Sequence, residues 1–501
     1  MRQAAANFWQ ENGRHVFGRN KNIGDLAARR RRRVWIGCGG ALVVLLVGAT
    51  AAALVVKPWT PEFRHGGLTV AAPPPPVTAV PEVVPARSNA MAPTEDGVTD
   101  ALSKVIGNPD LGAFAGQVTD AGSSTVLWSG DEDKPMIPSS TAKIMVTAAA
   151  LLTLPADERV STKVVAGQAP NELVLVGSGD PTLTAQPDGK GYYTDAGRLS
   201  DLVDQIKKSG RPIDTILVDN SAYAGPTMAQ GWDPIDIEGG SILPMESVMV
   251  DGGRLEPLVE YSPRTTTPAL DAGRRLASDL GLDPGAVREA QAQPGAAEVA
   301  SVRSATLRDR MHDMMVHSDN VLAEAIGREV ATATGGEASF TGAVDAVHAV
   351  LSNAGFDMSG VQMHDCSGLS VDDRVPAVVL NKIIATAAEP NGTTAVQPAG
   401  TKAKPETDTL AVTLSPILDD LPIAGATGSL TERYVTDNHQ GAGWVRAKTG
   451  TLSVSSALVG YVLDADGRVL TFALMSNDRP PEVSRPALDA IAGTLRNCGC
   501  S

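Results

Sequence analysis

The sequence predicts an α+β protein. Runs with strand character stand near both ends of the globular part, helical patterns fill much of the middle, and Gly/Pro turns separate them. Strands at both ends with helices between them imply one sheet assembled from distant segments and flanked by helices. The 501 residues are 43% apolar and 20% charged, enough for two or three domains with buried cores. The net charge of −15 argues against a nucleic-acid partner, whose phosphates need a basic surface. Four cysteines cannot frame a disulfide-rich mini-protein, and their spacing matches no zinc site. Neither H-E-x-x-H nor G-x-x-x-x-G-K-[ST] occurs.

The charge is divided along the chain. Residues 1–33 carry a net +7, including the run Arg29 to Arg33, and residues 34–501 carry −22. Between them Val34 to Val56 is an uncharged run of 23 residues, long enough as a helix to cross a hydrocarbon core of about 30 Å. The arginines before it place residues 1–33 in the cytoplasm and everything after the run outside. The run is either a retained single-pass membrane anchor, favoured by its length, or a signal segment cut at small residues such as Ala49-Thr50-Ala51. Residues 57–95 form a linker, where Pro73 to Pro76 and Pro81, Pro85 and Pro93 favour an extended spacer.

The globular part begins near Asp96. A short helix is expected over Val98 to Ile106, and a hairpin from Leu111–Thr119 and Thr125–Ser129 across a turn at Asp120. Pro138 and Ser139 open an apolar helix through Leu152, with Ser140 and Lys143 in its first turn. From Asp157 to Tyr261, strands at Glu172–Val176 and Ile213–Val218 alternate with a helix at Leu199–Lys208. Helical patterns return at Leu270–Leu280 and Leu307–Thr334. Three antiparallel strands follow at Gly443–Gly450, Ser456–Leu463 and Arg468–Ser476, with Asp464 to Gly467 turning the last pair, and a helix over Pro481–Arg496 closes the chain.

Three short motifs carry chemistry. Ser140-Thr-Ala-Lys143 puts a hydroxyl and an amine on one helix face at i and i+3. A serine becomes a nucleophile when a base takes its proton, and lysine serves only when neutral. From a reference near 10.4, burial or a neighbouring cation must lower its pKa by about 3 units. Ser318-Asp319-Asn320 sets three poor helix formers inside a helical region and reads as a break with side chains turned to a site. Lys448-Thr449-Gly450, followed by Thr451, lies on an expected strand, where an interior glycine marks close backbone approach. Each alone has an ordinary reading as a helix cap, a loop or an edge strand.

Together and in this order, S-x-x-K, S-D-N and K-T-G are the signature of penicillin-binding proteins and class A β-lactamases. The chain resembles the serine D-Ala-D-Ala peptidases of the penicillin-recognising superfamily. The 178 residues from Ser140 to Ser318 leave room for an inserted block, which is similar to the D-alanyl-D-alanine carboxypeptidase/endopeptidase family of the penicillin-binding protein 4 type (peptidase family S13). Gly177 to Leu183, Ser318 to Glu324, Asp365 to Ser370 and Gly428 to Arg433 are also similar to that family, and the likeness covers about Asp96 to Asn477. Val250-Asp-Gly-Gly253 departs from the Asn-rich stretch the family implies there.

The resemblance implies a β-lactamase/transpeptidase-like domain, an antiparallel sheet flanked by helices plus a helical subdomain, over 96–156 and 262–501. An α/β domain is inserted over 157–261. It implies that Ser140 attacks the penultimate D-Ala carbonyl of a peptidoglycan stem peptide to form an acyl-enzyme, with Lys143 as base and Ser318 as proton relay. Asn320, Lys448, Thr449 and Gly450 bind substrate, and the amides of Ser140 and Thr451 form the oxyanion hole. β-Lactams are implied as covalent inhibitors, and no cofactor or metal is implied. The alternatives are a β-lactamase-like hydrolase and a catalytically silent cell-wall scaffold; cleavage of crosslinks as an endopeptidase also stays open. Cys366 could pair with Cys498 or Cys500 or remain free. His312, His317 and His364 read as surface or structural groups.

Overall fold

The computed structural model describes residues 46–52, 54–57, 90–390 and 405–500. The basic tail, most of the linker and more than half of the apolar run 34–56 therefore lie outside the described residues. Residues 46–52 and 54–56 of that run are helical, and no helix among the described residues is long and apolar enough to cross a membrane. Residues from 90 onward belong to a single unit.

That unit is built on a five-stranded antiparallel sheet. Its strands are β1 (Ala113–Asp120), β2 (Thr125–Gly130), β10 (Arg446–Leu452), β11 (Ser455–Leu463) and β12 (Val469–Asn477), in the order β10-β11-β12-β1-β2. β1 pairs with β12, Gly116 opposite Leu474, so the first and last strands of the chain meet at the sheet centre. Successive side chains of a strand point to opposite faces, and here both faces are covered. Leu458, Phe472 and Leu474 pack with Val98 and Leu102 of α1 (Glu95–Leu102) and with Leu488, Ile491 and Leu495 of the C-terminal helix Pro481–Asn497. Val459, Ala473 and Met475 pack into the other core, which holds α2 (Lys143–Thr153) and the helical layer behind it. A strand buried on both faces carries an apolar run with no alternation, as Phe472–Met475 does.

A two-residue ladder pairs β3 (Pro135–Met136) with β9 (Val375–Pro376). A second, mixed sheet between the first two motifs comprises β4 (Ser161–Ala166), β5 (Glu172–Val176), β6 (Thr215–Asp219), β7 (Arg288–Glu289) and β8 (Glu298–Arg303), in the order β7-β6-β5-β4-β8. β5 and β6 run parallel and β4 antiparallel to both its neighbours. Helices α3 (Leu199–Lys208) and α4 (Pro268–Leu280) supply Leu202, Ile206, Ala272 and Leu276 to its core. The sheet closes only when Ser161 pairs with Arg303. Residues 268–303, assigned from the sequence to the catalytic domain, therefore pack with this second sheet. Helical periodicity reports that a face is apolar but not which sheet it will cover.

The helical pattern expected over Leu307–Thr334 is two helices, α5 (Leu307–His317) and α6 (Asn320–Ala333). Ser318 sits between them at φ +57, a left-handed conformation that no α-helix can carry through. Asp319 then caps α6, its carboxylate accepting the Leu322 amide at 2.9 Å. α7 (Phe340–Asn353) packs behind α6, and α8 (Ala377–Ala388) packs on β1 and β12 of the central sheet. Cys498 and Cys500 are bonded to each other, and Cys366 is a buried free thiol. No pairing of Cys366 with the C-terminal cysteines occurs, because Cys366 belongs to the helical core and Cys498 to the core on the opposite sheet face.

Candidate active site

The three motifs meet where β10, α2 and the α5–α6 junction converge. Ser140 lies in a short 3-10 turn, Ser139–Ala142, and the α-helix begins at Lys143. The sequence placed Ser140 in the first turn of the helix; that turn is 3-10 rather than α and starts from Ser139 at φ +49, which tightens it. Two glycines make room for it. A Cβ on Gly450 would stand 2.7 Å from the Pro138 carbonyl oxygen, and one on Gly368 1.9 Å from that of Ser139. The glycine of the K-T-G motif is thus required by the serine turn behind it.

Lys143 is fully buried. Its Nζ lies 3.0 Å from Ser140 Oγ, 2.7 Å from Asn320 Oδ1 and 2.8 Å from the Ser367 carbonyl oxygen. Burial lowers its pKa to about 8, against the nearby carboxylates of Asp365, Asp319 and Glu324. A neutral amine has two N–H donors and one lone pair. Asn320 and Ser367 offer only oxygens, so they take both donors and leave the lone pair to the Ser140 hydroxyl. The second lysine, Lys448, is equally buried and donates to Ser318 Oγ at 2.8 Å and the Thr449 carbonyl at 3.0 Å. Burial, and then the charge of Lys143, push it well below the usual lysine range. Of the two causes expected from the sequence, burial or a neighbouring cation, burial is the larger for both amines.

Thr449 Oγ1 donates to Ser429 Oγ at 2.7 Å, bringing the Gly428–Arg433 segment to the site. Asn320 Nδ2 donates to the Ser241 carbonyl at 3.1 Å, bringing in the inserted domain. Asp319 accepts from Arg254 at 3.0 Å and Tyr193 Oη at 3.0 Å, with Arg264 at 3.7 Å. Burial alone would raise the Asp319 carboxyl; Arg264 and Arg254 outweigh it and hold the carboxylate well below its usual range. The departing stretch Val250–Gly253 explains this geometry. Asp251 accepts from Thr184 Oγ1 at 2.7 Å, its carbonyl accepts from Arg254 at 3.3 Å and the Gly252 carbonyl accepts from Arg264 at 2.5 Å, which holds both guanidiniums beside Asp319.

These residues line a cleft of about 370 Å³. Ser140, Ser318, Asn320, Ser429, Thr449 and Thr451 form its floor, and Gly240, Ser241, Arg254, Glu260 and Tyr261 of the inserted segment form a wall. Every motif residue singled out in the sequence lies in or directly behind this cleft. The Ser367 carbonyl, Ser429 and the Asp319 cluster were missed as contacts. Their segments were legible, but a backbone oxygen has no sequence signature. Of the histidines, His312 meets Asp420 at 3.0 Å, His364 meets Asp373 at 3.4 Å, and His317 lies on the cleft against the Tyr192 ring.

An antiparallel sheet covered on both faces, with the three motifs on a serine turn, a helix junction and a strand, defines the penicillin-recognising α+β class. The chain belongs to the D-Ala-D-Ala carboxypeptidase 3 (S13) family, which it matches over residues 98–263, 258–399 and 406–498. It is 46% identical to the carboxypeptidase DacB of Mycolicibacterium smegmatis over 94% of this chain and 99% of that one. It is 48% identical to a carboxypeptidase of Mycobacterium tuberculosis over 87% and 92% of the two chains. The fold resembles the crystal structure of penicillin-binding protein 4 from Haemophilus influenzae, with a TM-score of 0.64 at 19% identity, covering 79% of this chain and 98% of that one.

Proposed function

We propose that this protein is a serine D-Ala-D-Ala carboxypeptidase of peptidoglycan stem peptides, acting through an acyl-enzyme on Ser140. One observation carries the reading. Lys143 Nζ has two carbonyl oxygens for its donors and only Ser140 Oγ left for its lone pair. With a pKa near 8 a useful fraction is neutral at neutral pH. Lys143 takes the hydroxyl proton as Ser140 Oγ bonds to the penultimate D-Ala carbonyl. The amides of Ser140 and Thr451 receive the oxyanion; losing one such donor costs about 2.7–4 kcal/mol in other hydrolases. Ser318, held by Lys448, passes a proton to the leaving D-Ala amine, and water then releases the shortened peptide. Asn320 and the Gly450 backbone hold the peptide, and Thr449 meets its terminal carboxylate. That carboxylate supplies the counter-charge that Lys448 lacks and raises its proton affinity.

A β-lactam carries the same carbonyl and carboxylate and acylates the same serine. We place the catalytic unit outside the cytoplasmic membrane, at the periplasm or cell wall, on the support of the +7 tail and the uncharged run Val34 to Val56, which serves as anchor or signal segment. The test is labelling with penicillin followed by peptide mass mapping, then product analysis on stem peptides and crosslinked muropeptides. Wild-type protein gains one adduct on Ser140, and Ser140→Ala gains none. An adduct on Ser140→Ala at any other residue overturns the assignment. Release of D-Ala from stem peptides identifies the carboxypeptidase, cleavage of crosslinks the endopeptidase, and rapid penicillin turnover the β-lactamase.

A further inference from the structure

Two segments singled out in the sequence, Ser318 to Glu324 and Asp365 to Ser370, have no role in the chemistry above beyond Ser318, Asp319, Asn320 and the Ser367 carbonyl. In the fold they are joined by one buried carboxylate. Glu324 lies one turn after Asn320, so the two share a face of α6. Its side chain is completely buried, and Oε1 accepts the Cys366 amide at 2.9 Å and the Ser367 amide at 2.8 Å. Oε2 accepts from Arg328 at 3.2 Å. The turn is closed on its far side by Asp365, which accepts the amides of Gly368 at 2.6 Å and Ser370 at 2.8 Å. The turn is also wedged in place: a Cβ on Gly327 would lie 2.4 Å from Cys366 Sγ, and Gly368 meets the Ser139 carbonyl.

The Ser367 carbonyl at the crest of this turn is one of the two acceptors that occupy the Lys143 donors. The other, Asn320, stands on α6 directly. We propose that Glu324 is a positioning residue for acylation: by gripping the amides of Cys366 and Ser367 it fixes the Ser367 carbonyl that orients Lys143. One face of α6 then sets both acceptors, Asn320 by direct contact and Ser367 through Glu324. The inference rests on the assignment of Lys143 as the base. The titratable groups around that amine are Glu324 and Asp319 from α6 and its cap, Asp365 and the neutral thiol of Cys366 from the turn, and Lys448 from β10. Burial and the neighbouring Asp365 push the Glu324 carboxyl up to about 7, so it is mostly ionised at the midpoint of the Lys143 titration near pH 8.

Two substitutions separate shape from charge. Glu324→Gln keeps an oxygen for the two amides and loses the charge and the Arg328 ion pair, which lowers stability; Arg328 retains the Glu324 backbone carbonyl at 2.9 Å as a partner. Glu324→Asp keeps the charge and withdraws the oxygen from the turn. The measurement is the rate of penicillin acylation from about pH 5 to about pH 10, with thermal unfolding as a fold control. Removing a carboxylate disfavours the protonated amine. Glu324→Gln therefore moves the acid limb about one pH unit lower and leaves the plateau within about threefold of wild type. Glu324→Asp lowers the plateau at least about tenfold and leaves the limb in place. If Glu324→Asp does not fold, the shift in Glu324→Gln decides. Wild-type profiles in both variants, or an equal plateau loss in both with no shift, overturn the inference. If penicillin labels wild-type Ser140 and the variants match wild type, only this inference falls; if it does not label Ser140, the proposed function falls and this inference with it.

Discussion

Two pairs of buried basic side chains stand around the cleft. Lys143 and Lys448 have no surface exposed and, among the described residues, form no ion pair; their partners are hydroxyls, an amide oxygen and backbone carbonyls. Arg254 and Arg264 are almost as deep, at 6% exposure each, but converge on the carboxylate of Asp319. Arg254 also lies over the Tyr192 ring, 3.9 Å from its centroid. Burial without counter-charge drives an amine toward neutrality, whereas burial with a carboxylate keeps the ion. The same cost of desolvation thus gives a poised base in one place and a fixed structural ion cluster in the other. The residue types suit this, since lysine shifts its pKa readily and arginine does not.

The comparison breaks most visibly at the poised amine. Replacing Lys143 with Met keeps the apolar stem and removes the base. The acylation rate should fall by about 10²–10⁴-fold while thermal unfolding stays at or above the wild-type temperature, because a buried amine is gone. A variant that still acylates at more than a tenth of the wild-type rate counts against the role of Lys143.

At the other pair, Asp319→Asn leaves two buried guanidiniums without their anion. Loss of about 3–5 kcal/mol of stability in denaturant unfolding is expected, together with weaker penicillin binding, since Asp319 also caps the helix that presents Asn320. Unchanged stability would show that Arg254 and Arg264 need no counter-ion.

The smallest of these effects sharpens the contrast without a mutation. The charged form of Lys143 cannot take a proton, so acylation is lost as pH falls through its pKa near 8 and gained as pH rises. Between pH 8 and pH 6 the neutral fraction drops about fifty-fold, and the rate should follow. A flat rate across that interval would mean that the amine is neutral throughout or is not the base.

The strands β1, β2, β5 and β10 to β12, the helices at Leu199–Lys208 and Pro481–Asn497, and all three motifs were legible because each rests on local signals: alternation, helical period, turn residues and motif spacing. The break at Ser318 was also legible, as three poor helix formers in succession. The far boundary of the inserted sheet was not, since it depends on Arg303 returning to Ser161 across the chain. Nor was the Cys498–Cys500 bond, because the sequence gives no measure of how far Cys366 lies from either.

By itself, then, the sequence determined which side chains could do chemistry and in what order they come: a hydroxyl and an amine three residues apart, a polar break, and a lysine beside a glycine on a strand. Only the tertiary structure decided their protonation. A pKa depends on how much water is excluded and on which charges stand within a few ångströms, and those are set by packing between segments hundreds of residues apart. Lys143 meets the Ser367 carbonyl across 224 positions of sequence, and Lys448 meets Ser318 across 130.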